Sequence, residues 1–324
     1  MKRREFVAGL FGTAAWPLGA RAQRPSIPVI GFIRSSTEDG FAHLLTAFRQ
    51  GLRDSGYVEG QNLVIEYRWA NNQAEKLPSL AADLVSRDVV VIVANHGSMA
   101  AVMVASKTIP IVFSSGDDPV AGGLVDNLSR PGGNVTGVSF FDIALSGKRL
   151  GILDELSPKT TGVALLVDGN FASVEAELRE LTAAAKAAAR PLVVMRAATE
   201  KEIDLAFSTI ENFGVGALVV GAGPFYIRER QRIIDLAARF AIPAIYVQRE
   251  FVLDGGLISY GASQTDAYRR AGAFVARVLN GEKPGDMPVE LVSKVELIIN
   301  QQTAVALNLT IPPSLLARAD EVIE

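Results

Sequence analysis

A chain of 324 residues, 49% apolar and 21% charged, has the make-up of an ordinary soluble globular protein, and its length suggests about two domains. A net charge of −3, with both signs scattered and no basic patch, argues against nucleic acid as a partner. The chain has no cysteine, which excludes disulfides and thiolate metal sites, and its two histidines cannot build a His-rich metal site; no metal or cofactor is expected.

The N-terminus reads as an export signal. Lys2, Arg3 and Arg4 form a basic segment, Val7–Gly19 an apolar one too short to span a membrane, and Ala20-Arg21-Ala22 a small-x-small cleavage site. Arg3-Arg4 followed by Glu5-Phe6 is similar to a twin-arginine signal, with a general secretory signal as the alternative. Residues 1–22 are expected to be removed, leaving a soluble mature chain in the periplasm.

Strand and helix then alternate. Pro28–Arg34 reads as a buried strand and Phe41–Ser55 as a helix with Leu44, Leu45, Phe48 and Leu52 on one face. Leu63–Tyr67 is a second strand and Ala74–Arg87 a second helix. Val89–Ala94 and Ile109–Phe113 are fully apolar strands, joined by a helix starting near Ser98. Val135–Phe141 follows the turn Arg130-Pro131-Gly132-Gly133-Asn134. The alternation restarts with the helix Ala144–Leu156 and the strand Gly162–Val167, and Ser173 is placed to cap the helix Val174–Ala189. Leu192–Arg196, Glu200–Asn212, Ala217–Gly221, Ile227–Phe240 and Ile242–Val247 continue it. Leu257–Gly261, Thr265–Asn280, Val295–Ile299 and Gln301–Leu307 are too few for a third domain and are divided between two lobes.

This pattern predicts an α/β protein of two Rossmann-like lobes with parallel sheets. Residues 27–138 plus 260–290 form the first lobe and 139–259 plus 291–324 the second. The chain then crosses between them three times, near Gly137–Phe140, Ser259–Gly261 and Val289–Val295. Ligands of parallel sheets bind beyond the carboxyl ends of the strands. That places Ser35, Ser36, His96, Gly97, Ser98, Ser115 and Asp118 on one wall of a cleft, and Asn170, Gly223 and Tyr226 on the other. Turns that open helices, such as Gly97-Ser98, suit a carboxylate. Ser98 equally suits a helix cap, Asp118 a turn, and Tyr226 and Phe171 the packing of neighbouring helices.

The succession of DDPV (Asp117–Val120), RPGGNVTGVSF (Arg130–Phe140), KRLGILDELSP (Lys148–Pro158), REF (Arg249–Phe251) and SYGASQTDAYR (Ser259–Arg269) resembles one family. It is that of the substrate-binding proteins of ABC uptake transporters, with a type I periplasmic-binding fold, in the branch of the tryptophan/tyrosine-type binding proteins. The resemblance covers nearly the whole mature chain, and departs from the family where Phe171 follows Asn170 in place of proline. It implies a monomer that captures a small polar solute between closing lobes and delivers it to an ABC permease in the inner membrane, without catalysis. An amino acid with an aromatic or branched side chain is the expected solute. A periplasmic ligand-sensing module for a membrane receptor is the alternative.

Overall fold

Buried β-branched runs alternating with amphipathic helices build two separate sheets, each covered on both faces. The computed structural model describes residues 27–38, 41–140, 145–158, 162–171 and 173–324. The expected export signal lies outside the described residues. In chain order the first lobe contains β1 (Val29–Arg34), α1 (Ala42–Asp54), β2 (Val64–Trp69), α2 (Leu77–Ser86), β3 (Val91–Asn95), α3 (His96–Ala105), β4 (Ile111–Ser115) and β5 (Val135–Ser139). The chain then passes to α4 (Ser146–Leu156), β6 (Val163–Val167), α5 (Val174–Ala187), β7 (Leu192–Arg196), α6 (Glu200–Phe213), β8 (Ala217–Val220), α7 (Pro224–Arg228) and α8 (Arg230–Arg239). It continues through β9 (Ala244–Tyr246), α9 (Arg249–Leu253), β10 (Ile258–Ala262), α10 (Gln264–Leu279), β11 (Glu290–Leu291), β12 (Val295–Asn300), α11 (Gln301–Ala306), α12 (Pro313–Leu316) and β13 (Glu321–Ile323).

The first sheet has the order β11-β5-β4-β3-β1-β2 and the second β13-β12-β10-β9-β8-β6-β7. All pairings in the first are parallel. The second departs from the expected parallel pattern at β12, which runs antiparallel to β10 and parallel to β13. The reason is positional. The chain leaves the carboxyl end of β11 and enters β12 at Val295, opposite Ala262 at the carboxyl end of β10, so it can only run back the other way.

Double-sided burial explains why the strands read as unbroken apolar runs. In β6, Val163, Leu165 and Val167 enter one core while Ala164 and Leu166 enter the core on the opposite face. In β1, Ile30 and Phe32 join one core and Ile33 the other. Helix α10 follows a strand of the second sheet yet packs on α1 of the first lobe, contributing Tyr268, Ala271, Phe274 and Val275 to its core. The two helices touch backbone to backbone. A Cβ on Gly51 would lie 1.8 Å from the Arg269 carbonyl oxygen, and one on Gly272 would lie 2.3 Å from that of Phe48.

Three local expectations differ. Helix α3 starts at His96, two residues before Ser98. The helix expected over Ile227–Phe240 breaks at Glu229 into α7 and α8, where the Arg230 guanidinium takes the Ile227 carbonyl (3.0 Å). Ser173 caps α5 through its backbone carbonyl, which accepts from Ala176 and Glu177, and not through its hydroxyl.

Candidate functional site

The carboxyl edges of the two sheets face each other. Strands β5, β10 and β11 each end at such an edge before the chain changes sheet, at Ser139, Ala262 and Leu291. One contact crosses directly: His43 Nε2 in the first turn of α1 lies 3.5 Å from Glu250 Oε1 in the first turn of α9. Both helices begin just past a strand's carboxyl end, so the loops there form two walls of one cleft.

On the first wall the loops are interlocked by Asn95. Its Oδ1 accepts from the Ser35 backbone N–H (3.2 Å) and lies 2.9 Å from Ser98 Oγ, while its Nδ2 donates to Ser35 Oγ (2.9 Å). Gly97 is required for this closeness, since a Cβ there would lie 2.7 Å from Ser35 Oγ. Ser35 and Ser36 stay half-buried at the edge, and Ser36 Oγ accepts from Arg34 Nε (3.3 Å). Ser98 is not on the wall. It is fully buried, with its hydroxyl also 3.2 Å from the Ile33 carbonyl, so it ties α3 to β1.

Ser115 is likewise buried, and its hydroxyl accepts from the Asp117 N–H (3.1 Å). Asp118 makes the turn, with Oδ1 accepting from the N–H groups of Val120 (2.9 Å) and Ala121 (3.1 Å). The neighbouring Asp117 is the one that turns inward. It is 5% exposed, and its Oδ2 lies 2.8 Å from His96 Nδ1. The hydrogen-bonding contact with Asp117 raises the pKa of His96, against the opposing effect of burial. At that distance the carboxylate favours the protonated ring, although its approach is poorly aligned with the N–H.

The second wall is held from beneath. Asp168 is buried, its Oδ1 accepts from the Asn170 N–H (2.9 Å), and burial raises its pKa. Gly223, at φ 153°, passes so close that a Cβ would lie 3.0 Å from Asp168 Oδ2. The Glu177 carboxylate accepts from the Ala222 N–H (3.2 Å), which fixes the β8–α7 loop. Asn170 itself is exposed and Phe171 half-buried. Tyr226 is not a wall residue. It is 1% exposed, packed with Ile203 and Phe207 in an outer core, and its hydroxyl donates to the Ala197 carbonyl (2.9 Å).

Several residues outside the candidate solute contacts shape the region. The Arg34 guanidinium lies 3.7 Å from the Phe41 ring centroid and donates to the Tyr268 hydroxyl. Burial lowers its pKa, offset by Tyr268 and by Glu250 of the other lobe. Near the crossings Arg249 pairs with Glu296 (3.4 Å) and Glu321 (2.6 Å), and Ser263 Oγ donates to Glu296 (2.6 Å) while capping α10. Arg149 is buried, and its Nε donates to the Tyr260 carbonyl (2.8 Å). Asn95, at a strand end before a helix, is the type of residue that spacing can find; Asp117 could not be told from Asp118.

Residues 26–323 match the model of a family described as ABC transporter substrate binding protein. A tyrosine-binding protein of Clostridioides difficile (strain R20291) is 29% identical over 264 residues, covering 81% of this chain and 75% of the relative. Among solved structures, an ABC domain from Streptococcus pneumonia in complex with L-Trp superposes with a TM-score of 0.82 at 24% identity, over 92% of this chain and 100% of that one. A ligand-free, open structure of a substrate-binding protein with adhesive properties from Clostridium difficile superposes with 0.73 at 25% identity, over 92% and 99%. Two sheets of mostly parallel strands, the three changes of sheet and the family match agree: the chain belongs to the ABC transporter substrate-binding proteins, with the type I periplasmic-binding fold.

Proposed function

We propose that this protein is the exported solute-binding component of an ABC uptake system, closing its two lobes on an aromatic amino acid and handing it to a permease in the inner membrane. The facing carboxyl edges carry this reading. Ser35, Ser36, His96 and Gly97 on one edge, and Asn170 with the Gly223 loop on the other, are the proposed solute contacts. Helix α3 opens there, with first-turn N–H groups that have no partner within the helix and the positive end of its dipole, which favours a carboxylate. The relatives that bind tyrosine and L-Trp support an aromatic side chain. The three inter-lobe segments serve as the hinge, and a solute that binds the closed form better shifts the population toward closure.

Calorimetry and thermal shift of the mature chain with L-tryptophan, L-tyrosine, L-phenylalanine, L-leucine, sugars and nucleosides test this. One-to-one binding of an aromatic amino acid is expected, with about 2.7 kcal/mol of stabilisation at a hundredfold excess over Kd. A clear shift with a sugar and none with any amino acid overturns the solute class. Co-purification with a membrane receptor in place of a permease overturns the transport role. An intact N-terminus on protein recovered from the periplasm, in place of one beginning at Gln23, overturns the signal cleavage.

A further inference from the structure

His96 is placed unlike any other titratable group at this edge. It is the first residue of α3, in the turn whose N–H groups have no partner within the helix. Nδ1 lies 2.8 Å from Asp117 Oδ2, an ion-pair distance with the oxygen off the line of the N–H. Asp117 is 5% exposed, and its Oδ1 is buried with no hydrogen-bond partner among the described residues. A buried carboxylate with one unsatisfied oxygen needs a cation beside it, and His96 is the group in position to be that cation. With Nδ1 turned to Asp117, the opposite nitrogen, Nε2, points away from the pair. It has no protein partner among the described residues, and 37% of the side chain is exposed.

We infer that His96, oriented by the positioning residue Asp117, is the specificity-determining group that the first lobe presents to the carboxylate of the solute. This rests on the amino-acid reading above and deepens it. The protonated ring donates from Nε2, and the α3 N–H groups add positive potential on the same side. Other charged residues of the elements packed on α3 are occupied elsewhere. Arg34 of β1 is on Phe41 and Tyr268, Asp83 of α2 is paired with Arg68 and Arg87, and Asp118 holds the turn after β4. Asp117 is the charge that favours the protonated ring, against burial and the positive end of α3.

The sign follows from the raised pKa of His96. Carboxylate recognition is complete below the ring's ordinary range and is lost as pH rises through the raised value. Binding of L-tryptophan and of tryptamine, which lacks the carboxylate, is measured by calorimetry from pH 6 to pH 8.5. The expected result is a Kd for L-tryptophan that weakens about tenfold over this range, with tryptamine unaffected. His96→Gln should bind L-tryptophan more weakly at the acid end and show no pH dependence. Asp117→Asn should move the loss to lower pH.

Nuclear magnetic resonance titration of the two histidine rings, assigned with H96Q, does not depend on the Asp117 variant folding. L-tryptophan is expected to raise the His96 pKa further. Binding of L-tryptophan with a flat pH profile, or with the His96 titration unmoved, overturns this inference and leaves the amino-acid reading intact. No L-tryptophan or other amino-acid binding at any pH overturns both.

Discussion

The two walls of the cleft are built on different plans. On the first, the strand-end loops are fastened to one another: Asn95 joins Ser35 to Ser98, Gly97 lets α3 approach Ser35, and His96 reaches Asp117. Gly116 lies under the Phe140 ring, so closely that a Cβ would meet Phe140 Cε2 at 2.7 Å. On the second, the ties come from buried groups beneath the loops, one within its own loop and two reaching a neighbouring loop. Asp168 holds Asn170, Glu177 holds Ala222 and Tyr226 holds Ala197. A cross-linked wall moves as a unit and arrives at the solute preformed. A wall held from beneath leaves its outward residues, such as Asn170, independent of one another. The first plan suits recognition of a fixed group and the second suits variation of the remainder.

The largest break in this comparison comes from behind the first wall. Gly272→Val would drive a branched side chain into the backbone of α1 at Phe48 and Leu52. Neither backbone can yield without separating the helices, so a loss of about 3 kcal/mol is expected in denaturant unfolding. A loss below about 1 kcal/mol would mean that α10 is not rigidly docked, and the first wall would lose its distinction from the second.

The next effect separates core from wall. Tyr226→Phe strands the Ala197 carbonyl, and stability should fall by about 1–2 kcal/mol. Solute affinity should be unchanged. A tenfold loss of affinity at unchanged stability would return Tyr226 to the cleft.

Much of the architecture is visible in the sequence because burial on both faces writes unbroken apolar runs, as in Val163–Val167, with turns at both ends. The direction of β12 is not visible. It depends on where the preceding crossing leaves the chain, which no local pattern carries. The site is legible only to the level of its loops. A polar residue at a strand end looks the same whether its side chain faces inward, as in Ser98 and Ser115, or stands at the edge, as in Ser35. In Asp117-Asp118 the turn through Pro119 commits the second carboxylate to Val120 and Ala121 and leaves the first to meet His96. That choice needs the third dimension. Tyr226 reads as a wall residue because it follows the Gly221–Gly223 turn, yet α7 already begins at Pro224 and carries its ring into the core, with its hydroxyl on the Ala197 carbonyl.

A paired substitution sharpens the comparison at smaller cost. Gly97→Ala presses on the Ser35 side chain at 2.7 Å, a contact that the serine relieves only by releasing Asn95. A stability loss of about 1 kcal/mol should accompany weaker solute binding. Asn170→Ala removes an exposed side chain and should leave stability within about 0.5 kcal/mol while still weakening binding. Equal stability losses in the two variants would show that the walls are not built differently.

The smallest expected effect lies where the walls meet. Glu250 stands opposite His43 and acts electrostatically on Arg34, both across the cleft. Its Oε2 is buried without a hydrogen-bond partner among the described residues, so the carboxylate draws its stabilisation from the first lobe, from the Arg34 charge and the His43 contact. Opening the lobes would return Glu250 to water and dissolve the arrangement, so its strength acts on the open–closed balance more than on folding. The His43 side chain is 39% exposed and the contact is long, which keeps the bias to about 0.5–1 kcal/mol. Glu250→Gln should therefore raise the ratio of open to closed molecules about two- to fivefold in the solute-free protein, read as a larger radius of gyration by small-angle scattering. On the proposed function, the difference should vanish at saturating L-tryptophan. An unchanged radius without solute would mean that the contact is incidental to closure, and that the walls are brought together by the hinge and the solute alone.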